Sequence, residues 1–130
     1  MNYPQDLKYT KNDEWVRVQG GSGTSGITDY AQSQLSDIVF FEVSASVGAA
    51  VKQGEAFGTV ESVKAASDIY MPVTGTLTEI NADLSKSPDW INKDPYGQAW
   101  MIRFQIGDPV QVDGLMDAAA YEMYCQGRSH

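Results

Sequence analysis

The chain has 130 residues, 42% of them apolar, with 3 Trp, 7 Tyr and 4 Phe. That supplies an ordinary hydrophobic core and excludes a disordered chain. The formal net charge of −8 removes the phosphate-neutralising attraction that nucleic acid or an anionic membrane would need.

Short strand-like runs separated by Gly, Pro and Asp dominate. In residues 14–18, Val16 and Val18 alternate with Trp15 and Arg17. Residues 20–26, rich in Gly and Ser, read as a turn into Ile27 and a loose hairpin. A short helix is expected over Asp29–Leu35, with Asp29 able to cap and Gln32 three residues later. Ile38–Val43 is nearly continuously apolar, as in a strand buried on both faces. Residues 48–54 form a turn-strand-turn unit bounded by glycines. Strand-like runs follow at 57–63, 68–71 and 76–80, broken by Pro72 and Gly75. Residues 81–96 read as a loop with Pro88 and Pro95, and residues 101–106 as a clean strand. A terminal helix is expected over about 115–125, closed by Gly127. The whole reads as one mostly β domain over residues 1–130, barrel-like or sandwich-like, with short helices appended.

Catalytic constellations are hard to assemble from this composition. The only histidine is His130, the last residue, so Ser-His and Cys-His pairs lack a base on rigid ground. The single Cys125 excludes an internal disulfide, and with one His it excludes a Cys/His zinc site, so no metal is expected. The Gly20-Gly21-Ser22-Gly23 run lacks the Gly-Lys-Ser/Thr of a phosphate loop. No apolar run approaches the roughly 20 residues of a membrane span, and residues 1–15 show no targeting pattern. The expectation is a non-catalytic protein of the cytoplasm, or of the mitochondrial matrix if it is a mature organellar form.

Among six lysines, Lys64 stands apart. Apolar strand residues flank it, and Ala65, Ala66 and Ser67 leave low relief beside it. Such a lysine projects from a hairpin tip, where acylation would turn it into a long, neutral tether. The stretch Glu61-Ser62-Val63-Lys64-Ala65-Ala66-Ser67-Asp68 resembles the lipoylation motif of the glycine cleavage H proteins. Leu7-Lys8-Tyr9, Glu14-Trp15, Gly26-Ile27-Thr28, Ala31-Gln32, Val39-Phe40, Pro95-Tyr96, Trp100 and Ala120-Tyr121 fall at that family's landmarks, so the likeness covers most of the chain.

The resemblance implies a lipoyl/biotinyl-type barrel-sandwich hybrid with short flanking helices, the lipoyl hairpin lying at about 55–80. It implies lipoate on Lys64, shuttling the aminomethyl intermediate of glycine. The partners would be a pyridoxal-phosphate glycine decarboxylase, a tetrahydrofolate-dependent aminomethyltransferase, dihydrolipoamide dehydrogenase and the lipoylating enzymes. It also implies a cleft that shelters the loaded arm, with Glu14, Asp68 and Asn12 beside the cationic amine, and Glu61 read by the lipoylating enzyme. The chain departs from the family in having Asp13 where His usually precedes the Glu-Trp pair, which adds negative charge near that cleft. An H-like lipoyl donor or interaction module outside glycine cleavage would carry the same hairpin and stays open at this stage.

Overall fold

A strand with one apolar face needs a second layer, and this chain supplies that layer from its own middle third. The computed structural model describes residues 1–128; His130 lies outside the described residues. In chain order the elements are β1 (Lys8–Tyr9), β2 (Glu14–Gln19), β3 (Ser22–Ile27), α1 (Asp29–Leu35), β4 (Ile38–Val43), β5 (Ala50–Val51) and β6 (Ala56–Ser62). Then come β7 (Ala66–Tyr70), β8 (Gly75–Ile80), α2 (Ala82–Lys86), α3 (Trp90–Lys93), β9 (Ile102–Ile106), α4 (Val110–Asp113) and α5 (Ala118–Arg128). A six-stranded sheet in the order β1-β2-β3-β9-β8-β5 faces a three-stranded sheet in the order β4-β6-β7. The main core draws Val16, Leu77, Ile102 and Phe104 from the first sheet and Phe41, Phe57, Val60 and Ile69 from the second. This is the mostly β sandwich with appended helices that the sequence predicts.

A second apolar cluster fixes α5 to the outside of the larger sheet. Tyr9 and Tyr121 stack with ring centroids 4.6 Å apart, beside buried Leu7, Trp15 and Tyr30. Because strand side chains alternate, Trp15 enters this cluster while Val16 enters the main core. Glu14 shares the face of Val16, so the same period carries a carboxylate toward the interior between the sheets.

Five local expectations are corrected. Residues 20–26 are not a loose turn: Ser22–Ile27 is an inner strand, paired with β2 from Glu14↔Ile27 to Gln19↔Ser22 and with β9 on its other side. The glycines there serve packing, since a Cβ on Gly23 would lie 2.5 Å from the Phe104 ring and one on Gly26 would lie 3.0 Å from the Trp15 indole. Only Gly20, at φ +62°, serves the turn itself. Second, the cap of α1 is Thr28, whose Oγ1 accepts from Ala31 N at 3.1 Å, while Asp29 Oδ1 accepts from Gln32 Nε2 at 2.7 Å.

Third, β4 is an edge strand with a register shift between Ile38 and Phe40. Its Val39 and Phe40 are therefore 56% and 40% exposed rather than buried. Fourth, residues 81–96 contain the short helices α2 and α3, anchored by fully buried Leu84 and Ile91. Last, the terminal helix starts at Ala118, because the Asp117 carboxylate takes the Ala120 amide at 2.8 Å and Met116 still pairs with Tyr9. Gly127 lies inside that helix and does not end it.

Candidate functional site

Lys64 sits in the turn between β6 and β7, which pair antiparallel up to Glu61↔Ala66. Ser62 builds that turn. Its amide donates to the Ala65 carbonyl at 2.7 Å, and its Oγ accepts from the amides of Lys64 at 3.2 Å and Ala65 at 3.1 Å. The Val63 amide donates to the Asp37 carbonyl at 3.0 Å, tying the tip to the start of β4. Lys64 and its neighbours Val63, Ala65 and Ala66 are exposed, as is Glu61 at the end of β6. Gly58 lets the supporting strands close up, since a Cβ there would sit 2.6 Å from the Glu42 carbonyl oxygen. The result is a hydrogen-bonded hairpin that presents a primary amine next to the small side chains of Ala65 and Ala66.

Asp68 and Ser67, on the strand that leaves this turn, help line a cavity of about 260 Å³. Asn12 and Glu14 line it too, so the structure brings together three of the residues singled out from sequence. Three residues lie between Lys64 and Asp68, and the strand part of that path, Ala66 to Asp68, rises about 7 Å. The apolar share of the wall comes from Ile27, Ala31, Leu35, Val60 and Ile69. Asn12 and Asp68 are exposed, whereas Glu14 is 1% exposed.

The Glu14 carboxyl bridges the two sheets. Oε1 accepts from Thr10 Oγ1 at 2.6 Å, and Oε2 accepts from the Tyr70 amide at 3.3 Å on the edge strand β7. Thr10 Oγ1 also accepts the amides of Asn12 and Glu14, each at 3.2 Å, so one hydroxyl organises the whole β1–β2 turn. Burial pushes the Glu14 carboxyl up to about 8, against the pull of its two hydrogen bonds, and the neighbouring Asp13 charge adds to the rise. Near neutral pH the group is therefore mostly protonated. A cation arriving in the cavity would favour its ionised form.

Asp13 needs a left-handed backbone, at φ +69°, to point where it does. Its charge is not left bare. Arg128 reaches it from the end of α5, with Nη1 to Oδ1 at 2.7 Å and Nη2 to Oδ2 at 2.9 Å. Tyr121 donates a third bond to Oδ1 at 2.9 Å. The sequence reading missed Ser62, Thr10 and Arg128. Ser62 was within reach, as a hydroxyl two residues before a turn lysine, but the Asp13–Arg128 contact spans 115 residues and carries no local signal.

A chain that offers an exposed amine on a hairpin leading to a partly apolar, acid-lined cavity fits an acylated arm with an apolar shaft and a cationic end. Comparisons with known proteins give the family. The model of the Glycine cleavage H-protein family matches residues 7–128. The Glycine cleavage system H protein of Symbiobacterium thermophilum is 50% identical over 123 residues, covering 95% of each chain. That of Myxococcus xanthus is 49% identical over 125 residues, covering 96% of each. Among solved structures, a glycine cleavage system H protein from Mycobacterium marinum superposes with a TM-score of 0.84 at 33% identity, over 98% of this chain and 99% of that one. The chain belongs to the glycine cleavage H-protein family, the lipoyl carriers of glycine cleavage.

Proposed function

We propose that Lys64 carries lipoate in amide linkage and that residues 1–130 act as one carrier domain, moving the aminomethyl group of glycine between enzymes without catalysing a step. The partners on this reading are glycine decarboxylase, the aminomethyltransferase and dihydrolipoamide dehydrogenase. When attached, the lipoyl group supplies the dithiol and disulfide chemistry. The observation that carries the reading is the exposed Lys64 amine on a hairpin whose next strand runs into the cavity lined by Glu14 and Asp68.

The chain's own residues have three tasks. Ser62 fixes the turn so that Lys64 is offered to the lipoylating enzyme, and exposed Glu61 marks the approach. Ile27, Val60 and Ile69 exclude water from an arm laid along them. Asp68, Asn12 and the ionisable Glu14 meet the cationic end, where a charge-assisted hydrogen bond gains from low dielectric. The bacterial origin of the relatives supports a cytoplasmic setting.

The test is intact mass after incubation with lipoate, ATP and a lipoate ligase, followed by peptide mapping. One lipoyl group on Lys64 is expected. Modification at another lysine, or none on a folded chain, would overturn the assignment.

A further inference from the structure

The cavity wall holds three acidic residues, Asp13, Glu14 and Asp68, and among the described residues the one cation lining it is Arg128. Arg128 is held in a fixed pose. Its guanidinium carbon lies 4.7 Å over the Tyr30 ring and 4.6 Å over the Tyr124 ring, while two of its nitrogens fork onto Asp13. The Asp13 side chain is 17% exposed and that of Arg128 is 33% exposed, so the pair is partly withdrawn from water. Tyr121 adds its hydroxyl to Asp13 and is itself bonded to Thr28 at 2.6 Å. A forked, stacked pair of this kind behaves as one neutral unit.

We infer that the Asp13–Arg128 pair sets the negative potential at the Glu14 face of the cleft, and through it the grip on a cationic group carried there. The inference rests on the proposed role of the cleft as the shelter of the Lys64 arm. It assigns Arg128 as a positioning residue that acts through Asp13. The Asp13 charge is thereby balanced from the far end of the chain. With Arg128 removed, Asp13 stands unpaired beside Glu14, which raises the carboxyl's titration midpoint and tightens the hold on a cation. With the Asp13 charge removed, Arg128 stands unpaired, which lowers that midpoint and loosens the hold. A purely structural role for the pair makes a different forecast, since either loss would loosen α5 and shift both readouts the same way.

The test uses Arg128→Gln, Asp13→Asn and the double variant, with folding checked by circular dichroism. Asparagine tolerates the left-handed backbone at position 13. The first readout needs no arm: the Glu14 carboxyl is titrated by 13C NMR in the unmodified chain. The midpoint is expected to rise in Arg128→Gln, fall in Asp13→Asn and return toward wild type in the double variant. The second readout uses lipoylated, reduced protein loaded with formaldehyde and ammonium. Water then splits the carbon–sulfur bond of the aminomethyl thioether, giving the thiol, formaldehyde and ammonia, which are assayed. Release is expected to slow about threefold in Arg128→Gln and to quicken about threefold in Asp13→Asn, the range of a partly exposed charge. Single variants that shift the Glu14 midpoint in one direction, or not at all, would overturn the inference. Wild-type release as fast as from a free aminomethyl thioether, with the Glu14 shifts as expected, would instead sink the sheltering role of the cleft.

Discussion

Lys64 and Glu14 stand at the two ends of one candidate site and are held by opposite means. The hairpin around Lys64 is made by neighbours in sequence: Ser62 satisfies the two amides that follow Val63, and the lysine itself stays in water. Glu14 is buried, and its carboxyl takes the amide of Tyr70, 56 residues away on the opposite sheet. One end is a local motif that chemistry can extend, and the other is a tertiary construction whose electrostatics depend on the whole fold. Modification belongs at the first and discrimination of charge at the second.

The largest expected effect lies at the hairpin. Lys64→Arg should leave the melting curve unchanged and abolish lipoyl incorporation by a ligase, read as intact mass. Incorporation at the wild-type level would break the reading of this end.

Glu14→Gln comes next and tests burial at the other end. The exposed group titrates at 4.5 and the buried one at about 8, so between those values the folded state keeps a proton that the unfolded state has lost. Stability of the wild-type chain therefore declines through this group as pH rises from 4.5 to 8 and is level beyond. The variant lacks that slope, so its stability relative to wild type should grow by up to about 5 kcal/mol across the window in urea titrations. A constant difference across the window would mean that water reaches Glu14.

Gly58→Ala should cost about 3 kcal/mol, because its Cβ would meet the Glu42 backbone oxygen and β4 cannot move away without losing the sandwich. Ser62→Ala should be the mildest, about 1 kcal/mol in thermal melts, with a modest slowing of ligase turnover as the tip loosens. A larger cost for Ser62→Ala than for Gly58→Ala would reverse the assignment of local and tertiary control.

The same contrast explains what could be read from the sequence. The hairpin, α1 and β9 follow from spacing and local chemistry, and the mostly β layering follows from alternation. The strand at Ser22–Ile27 was hidden because its glycines answer to Phe104 and Trp15, far away in the chain. The exposed face of β4 was hidden because an edge position is a property of the sheet. At the site, Asn12, Glu14 and Asp68 could be named, yet the burial of Glu14 and the balancing of Asp13 by Arg128 come only from packing.

The central claim is that an arm on Lys64 is sheltered beside Glu14. The most direct measurement is NMR on lipoylated protein carrying a 13C-labelled methylene in its aminomethyl cargo. Nuclear Overhauser contacts from that methylene to the methyl groups of Ile27 and Val60 are the predicted result. A methylene with the relaxation of a free chain and no such contacts would contradict it.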